Sequence, residues 1–239
     1  MKALIFAAGL GERMRPLTLH TPKPLLPVAG KPLIVWHLER LAAAGVDEVV
    51  INTAWLADRF APALGDGRQW GLRLHLLREG DSPLETGGGI LNALPVLGEA
   101  AFLVVNGDVW TDFDFAAFPQ APAGDAHLLM VDNPAQHPQG DFILQGDGTV
   151  TDEGNGARLT YAGVGLYRPS ILQDWRAIIG PTAGAAAVPP KFALAPLLRH
   201  AMAHHRISGQ HHGGRWTDVG TVERLHALDA QLQRSNACP

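Results

Sequence analysis

An apolar run that leads directly into a glycine-rich, cationic loop opens this chain. Residues 3–8 are all apolar, which predicts a buried strand at the start of an α/β sheet. Gly9 and Gly11 follow, and glycine lets a loop turn sharply and lets backbone N–H groups approach an anion closely. Arg13 and Lys23 lie in the same loop. A strand followed by such a loop is typical of proteins that bind a polyphosphate.

The spacing within this loop excludes two common phosphate-binding motifs. Position 14 is Met14, where the dinucleotide fingerprint requires a third glycine. No Gly-Lys-Ser/Thr sequence follows, as a P-loop would require. Four prolines, which fix the backbone angle φ, restrict the loop and would hold its cations in place before a ligand arrives.

Strand-like and helix-like patterns alternate up to about residue 112. Strands separated by helices indicate a mainly parallel sheet with right-handed crossovers. In this half we expect strands at 2–8, 48–52, 72–77 and 101–105, and helices at 32–45, 56–64 and 87–94.

The second half predicts a mixed extension of the same sheet. Residues 180–190 are rich in Gly, Ala and Pro and predict a mobile surface loop. No clean linker divides the chain, so we expect one domain, 1–239, with a lobe at about 1–112 and another at about 113–239. The further elements predicted are strands at 126–131, 141–145 and 160–167 and helices at 193–204 and 221–233.

Composition narrows the classes of function. The chain has 239 residues and a formal net charge of −4, so it lacks the basic excess that binds long nucleic acids. No apolar run approaches the roughly 18–20 residues of a membrane span, and no signal segment precedes the first strand. We therefore expect a cytoplasmic protein without membrane contact, and a monomer. Cys238 is the single cysteine, which excludes an intramolecular disulfide.

Two further segments each contain an aspartate that is a candidate metal ligand. Asp108 ends an Asn-Gly-Asp turn directly after the strand predicted at 101–105, at the edge where α/β sheets bind ligands. Asp218 lies in Trp-Thr-Asp-Val-Gly-Thr, where it or Thr221 could instead cap the next helix. One or two carboxylates together with phosphate oxygens are what Mg²⁺ prefers. Three consecutive glycines, 87–89, begin a predicted helix, so something must approach the backbone closely there.

The first loop resembles a known family signature. Gly9-x-Gly11-x-Arg13-x-x-Pro16-Leu17-Thr18, followed by Pro22-Lys23-Pro24, is similar to that of sugar-1-phosphate nucleotidyltransferases. Members transfer a nucleoside monophosphate from a nucleoside triphosphate to a sugar 1-phosphate, release pyrophosphate and need Mg²⁺. The resemblance covers nearly the whole chain. It implies an α/β, Rossmann-like three-layer fold with a mixed, mainly parallel central sheet, of the nucleotide-diphospho-sugar transferase type.

The resemblance also implies roles for individual residues. Arg13 and Lys23 would be catalytic, and Asp108 and Asp218 would hold the metal ion. The implied nucleotide-binding residues are Gly11, Glu12, Arg13, Lys23, Glu79, Thr86, Gly87 and Asn106. The implied sugar-binding residues are Gly140, Asp141 and Gly163.

A narrower resemblance bears on the substrates. Short segments at 83–89, 105–112 and 131–142 are similar to those of small bacterial uridylyltransferases of cell-wall sugar recycling, which implies UTP and N-acetylmuramate 1-phosphate. Many relatives carry a Glu-Lys pair near residues 155–158, and its absence here indicates an unusual acceptor. The alternatives are a mannose- or glucose-1-phosphate nucleotidyltransferase using GTP, UTP or dTTP, and a catalytically silent sugar-nucleotide sensor.

Overall fold

A computed structural model describes residues 1–237, and Cys238 lies outside them. The strands are β1 (Lys2–Phe6), β2 (Pro27–Val28), β3 (Lys31–Pro32), β4 (Glu48–Thr53), β5 (Arg73–Arg78), β6 (Phe102–Asn106), β7 (Val109–Thr111), β8 (Ala126–Val131), β9 (Phe142–Leu144), β10 (Val150–Thr151), β11 (Arg158–Tyr167), β12 (Ile207–His212) and β13 (Trp216–Asp218). The α-helices are α1 (Leu33–Ala43), α2 (Phe60–Leu64), α3 (Glu85–Leu97), α4 (Trp175–Ile179), α5 (Ala195–Ala203) and α6 (Val222–Ala237).

The predicted mixed, mainly parallel sheet is present. Strands β5, β4, β1 and β6 run parallel in that order, as expected for strands joined by helical crossovers. Strand β11 pairs antiparallel with β6 and with β8, and β12 adds to β8 in parallel. Strands β9 and β10 join at the start of β11. The sheet thus takes strands from both sides of residue 112.

Helices cover both faces of this sheet. Because successive strand residues point to opposite faces, Ala3 and Ile5 of β1 pack in the same buried cluster as Ile34 of α1. Leu4, between them, belongs to the opposite cluster with Ile90 of α3 and residues of α5. All of these β1 residues are fully buried. The result is a helix–sheet–helix arrangement, in agreement with the expected three layers.

The C-terminal helix packs on the N-terminal loop rather than on the sheet. Leu225 and Leu228 of α6 lie in a separate buried cluster with Met14 and Trp110. Asp229 fixes the contact, since its Oδ1 accepts a hydrogen bond of 2.6 Å from the backbone N–H of Ala29. This docking brings the end of the chain beside the first loop.

The first strand is shorter than the apolar run predicts. Strand β1 ends at Phe6, because the next N–H, that of Ala7, donates to Asn52 Oδ1 at 2.7 Å instead of continuing the sheet ladder. The backbone of Gly107 donates to Phe6 O at 2.9 Å. The sequence prediction lacked β10 and β12 of the main sheet and the two small two-stranded sheets, formed by β2 with β3 and by β7 with β13.

The segment 180–190 contains no helix or strand, as its composition predicts. It folds back on itself, with the N–H of Lys191 donating to Gly184 O at 2.9 Å. None of the helices in residues 1–237 has the length and apolar composition needed to cross a membrane.

Candidate active site

Two adjoining pockets open at the carboxyl ends of the parallel strands. The first pocket lies over the end of β1 and includes Gly11, Lys23, Asn52, Glu79 and Thr86 in its lining. The second pocket is lined by Arg13, by residues of β11 and by the segment that enters α6. Asn106 and Asp108 line both, so the two pockets meet at these residues.

The parallel register explains why polar side chains meet at this edge. Phe6, the last residue of β1, lies opposite Asn52 of β4 on one side and Asn106 of β6 on the other. Each asparagine ends or nearly ends its strand, where open α/β sheets bind ligands. Asn52 was missed in the sequence analysis, although it occupies the same position in its strand as Asn106, which was predicted.

The glycine-rich loop forms a short 3₁₀ turn at Glu12–Met14. Gly11 has a φ of +64°, and a Cβ there would lie 2.8 Å from Thr18 Cγ2, so only glycine fits. The hydroxyl of Thr18 donates to Gly11 O at 2.7 Å, and Met14 is fully buried. These anchors leave Glu12 and Arg13 exposed; Arg13 is in the lining of the second pocket, and Glu12 is in the lining of neither.

Lys23 and Asp108 form an ion pair at the junction of the pockets. The Nζ of Lys23 donates to Asp108 Oδ2 at 2.8 Å. The lysine side chain is 12% exposed and the aspartate side chain 40% exposed. The carboxylate is therefore accessible to solvent, while the lysine side chain is mostly buried. The structure therefore brings two predicted site residues, 85 positions apart, into direct contact.

Asp218 lies on a strand next to that junction. Strand β13 pairs antiparallel with β7, which places Asp218 opposite Val109. The N–H of Val219 donates to Asp108 O at 2.7 Å. Gln136 Nε2 donates to Asp218 Oδ1 at 2.6 Å, and Arg224 Nη2 lies 3.1 Å from Oδ2.

A buried histidine supports strand β7 beneath the junction. The ring of His37 is 1% exposed, and its Nε2–H donates to Val109 O at 2.7 Å. Burial lowers the pKa of His37 to about 4, so the ring is neutral near pH 7. His37 thus fixes the backbone next to Asp108 without adding charge.

The carboxylates suit a cation that binds only a few protein groups. In the part of the chain that the structure describes, no group of three or more His, Cys, Asp or Glu side chains could enclose a metal ion. Asp108, in the turn between β6 and β7, and Asp218, at the end of β13, match the donor set of Mg²⁺, which takes its remaining ligands from phosphate oxygens and water.

Glu79 lines the first pocket, but both of its oxygens are already bound. Oε1 accepts from Asn52 Nδ2 at 2.7 Å, and Oε2 accepts from the N–H of Leu84 at 2.8 Å. Burial raises the pKa of this carboxyl group above its usual value. Glu79 therefore ties β4 to the start of α3 and shapes the pocket wall.

The three glycines of α3 are approached mainly by the chain itself. A Cβ at Gly87 would lie 2.5 Å from the ring of Phe192, and one at Gly88 would lie 2.4 Å from Pro190 O. Gly87 is absent from the lining of the first pocket, and its nucleotide contact stays a prediction. Thr86 does line that pocket, although its Oγ1 also accepts from the N–H of Leu194 at 2.9 Å.

Only one of the three predicted sugar-binding residues lines the second pocket. Gly163 does so with a φ of +72°, and a Cβ there would lie 2.5 Å from Asn106 Nδ2. Gly140 is not in the lining. A Cβ at this glycine would lie 2.7 Å from Asn133 Oδ1, so the position is closely packed by the protein itself. Asp141 is also outside the lining and accepts from the N–H of Tyr161 at 2.8 Å.

Four lining residues of the second pocket escaped the sequence analysis: Gln136, His137, Trp216 and Arg224. Trp216 forms part of the wall, and its Nε1–H donates to Ala162 O at 2.9 Å. Arg224 follows Asp218 by six residues, in the first turn of α6, and this proximity was the available sequence signal. No local sequence pattern indicated that Gln136 would contact Asp218.

Comparisons with known proteins agree with the resemblance found in the first loop. A family model described as nucleotidyl transferase matches residues 2–141. The chain is similar to N-acetylmuramate alpha-1-phosphate uridylyltransferase of Neisseria meningitidis serogroup B, with 52% identity over 96% of this chain and 97% of that protein. The protein of the same name from Caulobacter vibrioides is 37% identical over 96% of each chain.

A solved structure shares the overall fold. It is a Bacillus anthracis protein provisionally described as a glucose-1-phosphate thymidylyltransferase, in complex with a sucrose, and its TM-score is 0.82. The match covers 98% of this chain and 95% of that one, at 18% sequence identity. At this identity the likeness concerns the fold alone, and it confirms the predicted fold class.

Proposed function

The chain belongs to the nucleotidyl transferase family, and from this premise we propose that it joins UTP and N-acetylmuramate 1-phosphate to give UDP-N-acetylmuramate and pyrophosphate, in cell-wall sugar recycling. The family acts on nucleoside triphosphates and sugar 1-phosphates, in general with a divalent metal ion. One observation supports the proposal most strongly: two pockets share Asp108, which is bonded to Lys23 at 2.8 Å. A donor and an acceptor in these pockets would meet beside a fixed cation.

The first pocket is assigned to UTP. Backbone N–H groups at Gly11, Glu12 and Arg13 would receive the triphosphate, since a glycine loop that follows a strand presents such groups to an anion. The guanidinium of Arg13 is exposed beside this loop and would neutralise the outer phosphates. Thr86 lines the same pocket at the start of α3 and is the candidate contact to the base.

The second pocket is assigned to the sugar 1-phosphate. It is bounded by Trp216, Gly163 and the Asp218 segment, and it opens onto Asp108. The missing side chain of Gly163 makes room for the side chain of Asn106, whose Nδ2 would lie 2.5 Å from a Cβ at that position. A sugar ring over this glycine would direct its phosphate toward Lys23.

The reaction is a single in-line displacement. An oxygen of the acceptor phosphate attacks the α-phosphorus of UTP and forms a new P–O bond, while the bond between the α-phosphorus and its bridging oxygen breaks and pyrophosphate leaves. The acceptor phosphate is already ionised at neutral pH, so no general base is required. Holding the two anions together can supply roughly 7–11 kcal/mol of barrier reduction, and Lys23 stabilises the charge that develops at phosphorus.

Asp108 and Asp218 are the residues that would hold Mg²⁺. The ion would neutralise phosphate charge and orient the triphosphate when bound. The protein contributes the accessible carboxylate of Asp108 and the fixed neighbouring strand that presents Asp218.

A substrate panel tests this proposal. Purified protein with Mg²⁺ is mixed with each of UTP, GTP, dTTP and ATP against the 1-phosphates of N-acetylmuramate, N-acetylglucosamine, glucose and mannose, and pyrophosphate release is measured. The proposal predicts the highest kcat/KM for UTP with N-acetylmuramate 1-phosphate. Higher turnover with GTP and mannose 1-phosphate would assign another member of the family, and no pyrophosphate from any pair would favour a sugar-nucleotide sensor.

A further inference from the structure

The second pocket contains a histidine whose ring is hydrogen-bonded through one nitrogen only. His137 lines this pocket and is 43% exposed. Its Nε2–H donates to Asp141 Oδ1 at 3.0 Å, and its backbone N–H donates to Pro134 O at 2.8 Å. Among residues 1–237, Nδ1 has no hydrogen-bond partner. The ring is thus tethered on one side only.

Asp141 is itself held in place, which fixes the histidine through it. Its second oxygen, Oδ2, accepts from the N–H of Tyr161 at 2.8 Å, and its own N–H donates to Leu159 O at 2.8 Å. A carboxylate that bonds one nitrogen of an imidazole sets the orientation of the ring and leaves the other nitrogen for a ligand. An imidazolium donates from both ring nitrogens, so this geometry allows one bond to Asp141 and one to an anion in the pocket.

The two arginines that line the second pocket have other roles: Arg224 is paired with Asp218, and the proposed function assigns Arg13 to the triphosphate. Arg224 lies 3.1 Å from Asp218 Oδ2 and is 21% exposed. Arg13 also borders the pocket formed by residues 10–14 and Lys23, on the side of the glycine-rich loop. His137 is therefore the lining side chain best placed to bind an anion away from the phosphates.

The proposed acceptor has such an anion. N-acetylmuramate is N-acetylglucosamine with a lactate ether, and the lactate carries a carboxylate. Resting on the proposed function, we infer that His137 binds this carboxylate and thereby selects N-acetylmuramate 1-phosphate over N-acetylglucosamine 1-phosphate. Asp141, predicted from the sequence to contact the sugar, acts instead through its hydrogen bond to His137, as a positioning residue.

The test compares these two acceptors, which differ only in the lactate ether. Steady-state kcat and KM are measured with UTP and Mg²⁺ for the wild type, His137→Ala, His137→Gln and Asp141→Asn. A hydrogen bond to a charged group typically changes kcat/KM about tenfold to hundredfold. His137→Ala should lose this factor for N-acetylmuramate 1-phosphate, mainly through KM, and should change kcat/KM for N-acetylglucosamine 1-phosphate by less than about twofold.

The remaining variants separate binding from structure. His137→Gln keeps one neutral donor and should fall between the wild type and His137→Ala. Asp141→Asn should reduce the preference less than His137→Ala does. His200→Ala, at an exposed histidine of α5 outside both pockets, should leave the preference unchanged. Thermal unfolding of each variant verifies that the protein is folded.

Each outcome bears on a definite claim. An equal loss with both acceptors in His137→Ala, or an unchanged preference, would overturn the role of His137 while leaving the uridylyl transfer intact. A wild type that uses neither acceptor with UTP would overturn the proposed function itself. A wild type that uses both acceptors equally well would overturn the selection by His137 and the acceptor preference expected in the substrate panel, while uridylyl transfer to a sugar 1-phosphate would stand.

Discussion

The two pockets share Asp108 but are assembled differently. The first pocket is built from the ends of β1, β4 and β6, so the parallel register alone places Asn52 and Asn106 beside Phe6. The second is built from segments that are distant in the chain, among them the loop after β8, strand β11 and the start of α6. The match to the nucleotidyl transferase family covers residues 2–141, which include every lining residue of the first pocket but only part of the second.

This difference in construction separates a pocket with a fixed wall from a pocket lined by an exposed loop. In the first pocket both carboxylate oxygens of the buried Glu79 accept hydrogen bonds from the protein, which fixes this part of the wall. In the second pocket the side chains of Gln136 and His137 come from one exposed loop. Under the proposed function, the fixed wall of the first pocket suits the nucleotide-handling step, and the loop that carries Gln136 and His137 supplies side chains for the choice of sugar.

The largest effect is expected at the junction. Lys23→Ala removes the cation next to Asp108, and the loss of one such charge-stabilising donor lowers kcat by about 10²–10³. Stability should change little, because Asp108 remains accessible to water. Pyrophosphate release measures turnover, and Lys31→Ala is the control, since Lys31 pairs with Glu39 outside both pockets. Near wild-type turnover in Lys23→Ala would contradict a catalytic role for the cation at the junction of the two pockets.

A smaller loss is expected on the second-pocket side of the junction. Asp218→Asn removes a proposed metal ligand, and apparent Mg²⁺ affinity should fall at least about tenfold, the loss typical even for groups one shell further out. Turnover is measured against Mg²⁺ concentration. Asp66→Asn, at an exposed aspartate outside both pockets, serves as the matched control. An unchanged Mg²⁺ requirement in Asp218→Asn would confine metal binding to the Asp108 side.

The third effect concerns stability of the first-pocket wall. Gly87→Ala would force a Cβ to within 2.5 Å of the Phe192 ring. Overpacking of this kind costs about 1–3 kcal/mol, and the better helix propensity of alanine offsets up to about 1 kcal/mol. Urea unfolding should therefore show a loss of about 1–2 kcal/mol. Gly146→Ala, where a Cβ meets nothing within 4 Å, is the control. Equal stability in both variants would contradict the close packing of 190–192 on α3.

The smallest effect is a pH dependence from Glu79. Its pKa is raised in the folded protein by burial, so the native state binds this proton more tightly than the unfolded chain, where the pKa is about 4.3. The corresponding stability is complete below that value and is lost as the pH rises through the raised pKa. Glu79→Gln cannot titrate and lacks this decline.

Urea unfolding of both proteins between acidic and neutral pH measures that difference. The unfolding free energy of the wild type, relative to Glu79→Gln, should decrease as the pH rises. Glu99→Gln, at an exposed glutamate, should follow the wild type. A constant difference between the wild type and Glu79→Gln would show that Glu79 does not titrate as a buried group.

The same contrast explains how far the sequence could lead. The fold class, strands β1, β4 and β6, and the loop with Arg13 and Lys23 follow from local patterns, because strand ends and glycine turns are set by neighbouring residues. The contact between Lys23 and Asp108 then follows from the parallel sheet. The missing side chain of Gly87 makes room for Phe192, a residue 105 positions away, and no local pattern indicates this contact.

The acceptor side depended on pairings that no local pattern reveals. Gly140 and Asp141, predicted to bind the sugar, are outside the lining of the second pocket and contact Asn133 and Tyr161. Strands β7 and β13 have only three residues each, too few for a periodic signal. The antiparallel pairing of these two strands is what sets Asp218 beside Asp108.

Direct transfer between adjoining pockets is tested by the stereochemistry at the α-phosphorus. UTP with a sulfur in place of one α-oxygen, supplied as a single diastereomer, is converted with N-acetylmuramate 1-phosphate, and the configuration of the product is determined by ³¹P NMR. One in-line displacement between neighbouring substrates predicts inversion. Retention would require a nucleotidyl-protein intermediate and two displacements, and it would contradict the arrangement of donor and acceptor around Lys23 and Asp108.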